Sequence, residues 1–163
     1  MKRPDAIEKK IFDLPGLIKL TVQWRLLGKE IAFTNGIFDI LHKGHIYSLS
    51  QAAKEADYLI VGVNSDSSTK KLKGESRPVN DEQSRTLLLA SLVIVDAVVL
   101  FNEETPLDLI KAILPDVLVK GGDYTVEQVA GSKEVIENGG RVVINPIIKG
   151  ISTTGLISKI EQL

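Results

Sequence analysis

The chain's two histidines, His42 and His45, lie three residues apart in the segment FTNGIFDILHKGH (33–45). On a helix that spacing puts both rings on one face, roughly 5–6 Å apart, and Gly44 between them removes a side chain that would block the face. The segment reads as strand, turn, helix. The rings would then stand at a helix N-terminus, where free N–H groups and the positive end of the dipole suit a phosphate. Two imidazole donors there could stabilise charge developing on a phosphoryl group in transfer. Gly36, at the strand end, sits where backbone approaches a ligand or turns tightly. Spacing alone leaves two other readings open. One is a pair of unrelated histidines near a helix start. The other is a metal pair, for which the chain supplies no cysteine and no third histidine.

The elements that must position this segment are legible in the apolar pattern. Five short runs rich in Val and Ile read as buried strands: IAFTN (31–35), YLIVGVN (58–64), AVVLF (97–101), VLVKG (117–121) and RVVINP (141–146). They are nearly continuous rather than alternating, as strands are when both sheet faces are covered. Helical patterns separate them: IYSLSQAAKEA (46–56), DEQSRTLLLASL (81–92), TPLDLIKAIL (105–114) and SKEVIENGG (132–140), with STTGLISKIEQL closing the chain. Thr105 reads as an N-cap with Pro106 at the first helical position, and Gly139 as a C-terminal cap. A further helix, within an N-terminal extension over 1–29 that packs on the rest, includes LIKLTVQWRLLGK (17–29).

Strands alternating with helices imply one doubly wound, Rossmann-like α/β domain over 1–163, with a five-stranded, mostly parallel sheet. In such a sheet the ligand lies beyond the carboxyl ends of the strands, at the switch in strand order. The histidine segment begins at such an end.

Other polar clusters fall at the same edge. KKLKGESRP (70–78) reads as a loop carrying Lys70, Lys71, Lys73 and Arg77. Lys70 and Lys71 read as solvated surface, while Lys73 before Gly74 and Arg77 before Pro78 are the better anion ligands. Arg85, three residues after Glu82, either reaches the same anion or pairs with that glutamate. Asn64 and Asp66 either hold sugar hydroxyls or serve local turn chemistry. In VKGGDY (119–124), Gly121 and Gly122 allow close backbone approach while Lys120 and Asp123 supply a cation and an acceptor; a glycine turn with a surface pair is the plainer alternative. Ser152, Thr153 and Thr154 read as a helix cap, compatible with a second anion-binding N-terminus.

The totals bound the function. At 163 residues with 44% hydrophobic and 25% charged side chains, the chain has the composition of an ordinary globular domain. A net charge of −1 provides no bulk field for nucleic acid or an anionic membrane. Zero cysteines exclude disulfides and thiolate chemistry and fit a reducing cytoplasm. MKRPDAIEKKIF lacks the apolar core of a secretory signal. LLLASLVIVDAVVLF is interrupted by Asp96 and is shorter than the roughly 20 residues of a spanning helix. Oligomeric state is left open, with a homo-oligomer among the options.

NGIFDILHKGH resembles the G-x-F-D-x-x-H-x-G-H motif of the nucleotidyltransferase superfamily, with Gly36, Phe38, Asp39, His42, Gly44 and His45 all matching. VGVNSDSSTKKLKGESRPVNDEQSR, ILPDVLVKGGDYTVEQVAGSKEV and GISTTGLISKI extend the likeness to the heptose 1-phosphate adenylyltransferase branch, which makes ADP-heptose from ATP and heptose 1-phosphate. In that branch the enzyme occurs alone or fused behind a sugar kinase. This chain shows no kinase segment, so it resembles the stand-alone form or an excised domain. A cysteine often found after the motif's first glycine is Ile37 here, at a position that packs or offers backbone.

The resemblance implies catalytic roles for His42, His45 and Lys73, and nucleotide contacts from Gly36, Ile37, Phe38, Gly44, Gly121, Asp123, Ser152, Thr153 and Thr154. It implies substrate contacts from Asn64, Asp66, Arg77, Arg85 and Lys120. Asp39 reads as structural, orienting the motif turn, with indirect contact to ligand or metal as the alternative. The implied reaction is attack of a sugar phosphate oxygen on the α-phosphorus of ATP. The nucleophile is already charged, since a phosphate monoester has a second pKa of about 6. No general base is then needed, and the work is positioning and charge stabilisation. Mg²⁺ is expected on the nucleotide's β- and γ-phosphates, with no protein metal site. The alternatives are a cytidylyltransferase acting on a small alcohol phosphate such as glycerol 3-phosphate, and a nucleotide-binding regulatory module without turnover.

Overall fold

The computed structural model describes residues 4–148 and 150–162; residues 1–3 of the expected N-terminal extension, and residues 149 and 163, lie outside the described residues. Strands β1 (Ile11–Phe12), β2 (Ile31–Gly36), β3 (Tyr58–Asn64), β4 (Ala97–Phe101), β5 (Val117–Gly121) and β6 (Arg141–Asn145) form one sheet in the order β1-β4-β3-β2-β5-β6. Every neighbouring pair is parallel. Helices α1 (Leu14–Leu26), α2 (Lys43–Ala53), α4 (Glu82–Ala90), α5 (Leu107–Ile113), α6 (Ser132–Glu137) and α7 (Thr153–Ile160) occupy the expected segments, and α3 (Asp66–Lys73) is additional. No helix among the described residues is long and apolar enough to cross a membrane.

Three expectations need correction. The sheet has six strands rather than five, because Ile11 and Phe12 pair with Val98 and Val99 of β4. Two residues are too few to show a period, and the pairing is fixed from outside the strand. The Lys10 ammonium donates to the Val95 and Leu92 carbonyls at 2.7 and 3.2 Å. Lys70, Lys71 and Lys73 sit on α3 rather than in a loop. Ser65 caps that helix, and its inward positions are Ser68 and Thr69, so its buried face carries no apolar signal. Finally, Pro106 occupies the N-cap of α5, and no side chain caps that helix.

The near-continuous apolar strands do cover both sheet faces. On one side Ile31, Phe33, Ile60 and Leu118 pack with Leu17 and Trp24 of α1 and with Ile110 and Ile113 of α5. On the other, Ala32, Leu59, Val61 and Val119 pack with Leu49 of α2 and Leu89 of α4. Carboxylates pin the amino ends of the strands. Asp116 accepts from Ile31 N–H, Asp96 from Leu59 N–H and Asp57 from Glu30 N–H, at 2.8–3.0 Å.

Strand order reverses at β2. From there the chain steps outward through β3 and β4, then crosses to the opposite side of β2 as β5. β2 pairs with β3 over six residues, Ile31↔Tyr58 to Gly36↔Val63, but with β5 only through Ala32↔Val117 and Phe33↔Leu118. Beyond Phe33 and Leu118 the register pairing ends and the sheet forks toward its carboxyl edge.

Gly62, in the middle of β3, is explained by packing. A Cβ there would stand 2.8 Å from the rim of the fully buried Phe33 ring and 3.3 Å from Leu109. Gly62→Ala is therefore expected to overpack the core and lower stability by about 1–3 kcal/mol. The denaturation midpoint measures this, and an unchanged midpoint would mean that the ring can move aside.

Candidate active site

The motif that ends β2 lies on the carboxyl edge beside the fork. Phe38 has a left-handed backbone, φ 53°, uncommon for a bulky residue. Its ring folds back over Gly36, where a Cβ would meet it at 3.0 Å. Gly36 thus makes room for an aromatic ring, a use that the sequence reading did not foresee. The ring also stands edge-on to His45, with centroids 5.3 Å apart.

Two interactions hold this turn. Asp39 is buried and accepts from Val79 N–H and Asn80 N–H at 2.8–3.0 Å and from Arg77 Nε at 2.6 Å. Burial alone would raise its pKa, but these donors outweigh that penalty and hold it below the usual carboxylate value. Arg85, wholly buried, donates to the carbonyls of Ile37 (2.6 Å), Asn64 (2.8 Å) and Asn80 (3.0 Å) and to the Asp66 carboxylate (2.7 Å). Its hydrogen bonds thus go to the protein itself, and it does not pair with Glu82. Its partner is Asp66, which leaves the carboxylates of Glu82 and Asp66 both in local structure, since Glu82 accepts from Asp66 N–H at 2.8 Å.

His42 is the N-cap of α2, and Gly44 N–H donates to its Nδ1 at 3.1 Å. The neutral ring must then carry its proton on Nε2. The His42 and His45 rings stack at 3.9 Å and 19°, closer than a shared helix face requires, because His42 folds back over Gly44. A Cβ on Gly44 would stand 3.0 Å from the His42 ring and 3.2 Å from Ile151. Desolvation first, then the neighbouring His42, pushes the His45 pKa down to about 4, with the Ile40 backbone opposing slightly. His45 Nδ1 is closed off from solvent and has no hydrogen bond of good geometry. Desolvation also lowers the His42 pKa. Both rings are neutral near pH 7.

Two adjoining cavities open here, of about 500 Å³ and 360 Å³. The larger lies over the β3–β4 side and is lined by Asn64, Lys73, Arg77, Glu104 and Gln128. The smaller lies over the β5–β6 side and is lined by His42, Gly44, Ser48, Gly121, Ile151 and Ser152. Gly36, Ile37, Phe38, His45, Lys120 and Thr153 line both, and Thr154 lines the larger. Three sequence candidates fall outside. Asp123 is exposed, Arg85 is wholly buried and Asp66 is partly exposed, and none of the three lines either cavity. Asn64 lines the larger cavity while its amide donates to Ser68 Oγ at 3.0 Å. Sequence reasoning missed Asn35, Ser48, Glu104, Tyr124 and Gln128. Asn35 and Tyr124 had a readable signal, since each adjoins a quoted glycine segment at a strand end.

A strand–turn–helix edge at the switch point of a parallel sheet, with paired imidazoles at the helix start, agrees with a match to the cytidylyltransferase-like family over residues 33–159. The chain belongs to that family of nucleotidyltransferases. Among its relatives, the Bifunctional protein HldE of Caulobacter sp. strain K31 is 52% identical over 96% of this chain and 32% of its own length. The chain thus spans about a third of that relative. A lipopolysaccharide core biosynthesis protein from Thermoplasma volcanium superposes with a TM-score of 0.61 at 32% identity, covering 76% of this chain and all of the other. A pantoate–beta-alanine ligase from Francisella tularensis, solved with beta-gamma ATP and beta-alanine, gives a TM-score of 0.60 at 16% identity, over 94% of this chain and 78% of the other. That last likeness concerns the fold alone.

The histidine shifts carry a pH signature. An unfolded histidine titrates near 6.5, whereas folded His45 titrates at about 4. Between those values the unfolded chain binds the extra proton, so stability falls as pH drops from 6.5 toward 4 and is indifferent to this group above 6.5. His42 adds to the same trend. Imidazole NMR is expected to show His45 neutral at pH 5.5, and His45→Gln should flatten the acid limb of the stability curve. A midpoint near 6.5 for His45 would contradict its desolvation.

Proposed function

We propose that this chain transfers AMP from ATP to a heptose 1-phosphate, giving ADP-heptose and pyrophosphate. The observation that carries the proposal is the pair of stacked neutral imidazoles at the start of α2, of which His45 lines both cavities and His42 the smaller one. One cavity suits each substrate. The resemblance in the motif segments and the relatives named above support the choice of nucleotide and sugar. We read residues 1–163 as one nucleotidyltransferase domain and assign the reaction to the cytoplasm.

ATP would enter the smaller cavity, with its phosphates against the N-termini of α2 and α7, where Ser152 accepts from Gly155 N–H at 3.1 Å. Gly121 lets backbone approach the nucleoside: a Cβ there would already meet Ser48 Oγ at 3.0 Å. The sugar phosphate would occupy the larger cavity, its anion beside Lys73 and Arg77. Arg77 spends only its Nε on Asp39, leaving the rest of the guanidinium for a phosphate.

A phosphate oxygen of the sugar then attacks the α-phosphorus in line, and the bond to pyrophosphate breaks. His42, with its proton fixed on Nε2, donates a hydrogen bond to the α-phosphate as charge builds there. His45, behind it, becomes more basic once an anion stands in front. No cluster of three or more His, Cys, Asp or Glu side chains among the described residues could hold a metal. The buried carboxylate of the motif, Asp39, is fully engaged. This donor set fits Mg²⁺ held by phosphate and water oxygens, where it would neutralise the β- and γ-phosphates.

Pyrophosphate release is expected with ATP plus a heptose 1-phosphate, and much less with CTP. Turnover with CTP and glycerol 3-phosphate that matches or exceeds it would replace this assignment with a cytidylyltransferase. Nucleotide binding without release under any pairing would leave a regulatory module. His42→Ala and His45→Ala are expected to stay folded and bind ATP while losing about 10²–10³ in kcat. Raised KM at near-normal kcat would make the histidines binding groups only.

A further inference from the structure

Two of the side chains that line both cavities can carry charge: His45 and Lys120. His45 is neutral over the working pH range, so Lys120 is the cation at the dividing wall among the described residues. Lys73 and Arg77 line one cavity only. Lys120 is partly buried on β5, and no carboxylate among the described residues lies within ion-pairing distance of it. Its ammonium donates to Asn35 Oδ1 at 3.2 Å and stands 5.7 Å from the centre of the Tyr124 ring. A half-desolvated ammonium with a neutral partner keeps its field for an incoming anion. Desolvation lowers the pKa of Lys120, which agrees with that lack of a counter-charge.

The sheet explains why these two residues meet. Register pairing of β2 with β5 ends at Phe33↔Leu118. Continuing that register two residues further sets Asn35 opposite Lys120, where their side chains bridge the fork. The amide therefore aims the ammonium at the wall between the cavities without cancelling its charge.

We infer that Lys120 contacts both substrate phosphates at the reacting centre, offsetting the repulsion between two anions, and that Asn35 is the positioning residue that holds it there without a counter-ion. The inference rests on the proposed adenylyl transfer and deepens it.

Asn35→Asp keeps the shape and the acceptor but supplies the missing counter-charge, whereas Asn35→Ser shortens the acceptor and adds no charge. With kcat measured by pyrophosphate release, Asn35→Asp is expected to lose about 10²-fold with its melting temperature retained and ATP affinity little changed. Asn35→Ser should lose less. A residue that served only as a structural acceptor would give the reverse order, and that result would overturn the inference. If Asn35→Asp fails to fold, Lys120→Gln carries the test, with the same loss in kcat expected; near-normal kcat would overturn the inference. If the unaltered protein releases no pyrophosphate from ATP and heptose 1-phosphate, the proposed reaction falls, and calorimetric binding of inorganic pyrophosphate then tests the pair. Asn35→Asp should weaken that binding about tenfold, and equal affinity would overturn the role given to Lys120.

Discussion

A single buried guanidinium gathers the ends of the elements that build this site. Arg85 has no exposed surface, and it binds the end of β3 through the Asn64 carbonyl, the start of α3 through Asp66, the 77–81 loop through Asn80 and the motif turn through Ile37. A buried charge is tolerated only when it is fully hydrogen-bonded, and removing one partner of such a pair typically costs about 3–5 kcal/mol. Here the charge sets positions as well. The Ile37 carbonyl that it grips precedes Phe38, the residue with the left-handed backbone, and Asp39 ties the other side of that turn to the same loop. An uncommon backbone conformation persists only where the surroundings over-determine it. The Phe38 ring so placed forms a wall against His45, and the desolvation that keeps His45 neutral follows from burial of that kind.

Most of the architecture was legible because it depends on apolar periodicity. β3, β4 and β5 start and stop where their Val- and Ile-rich runs do, and the crossover pattern placed the ligand edge at the end of β2. The misses share a physical cause: structure fixed by polar contacts leaves no period. β1 is two residues long and anchored by a lysine from outside it. The inner face of α3 is Ser68 and Thr69. Arg85 read as an anion ligand or a partner of Glu82, because a sequence does not show that three backbone carbonyls converge on one point. His42 and His45 were legible by type and spacing, but the stacking was not. It follows from His42 using its own ring as the helix cap, a choice that Gly44 permits. Lys120 was legible as a cation beside glycines, yet its pairing with Asn35 depends on a strand register that only the fold reveals.

The fork between β2 and β5 also has a mechanical meaning. The sheet is joined along six residue pairs between β2 and β3 and five between β5 and β6, but along two between β2 and β5. This seam, the most thinly paired between interior strands, runs under the site, and at its open end it is closed by the Asn35–Lys120 side-chain contact. An anion seated there would reach Lys120 from one half of the sheet and the α2 cap from the other, and so would act as a removable rung across the seam. Binding across that seam would stiffen a thinly paired joint, so a protein with an anion seated there would resist unfolding more than the empty one by simple mass action.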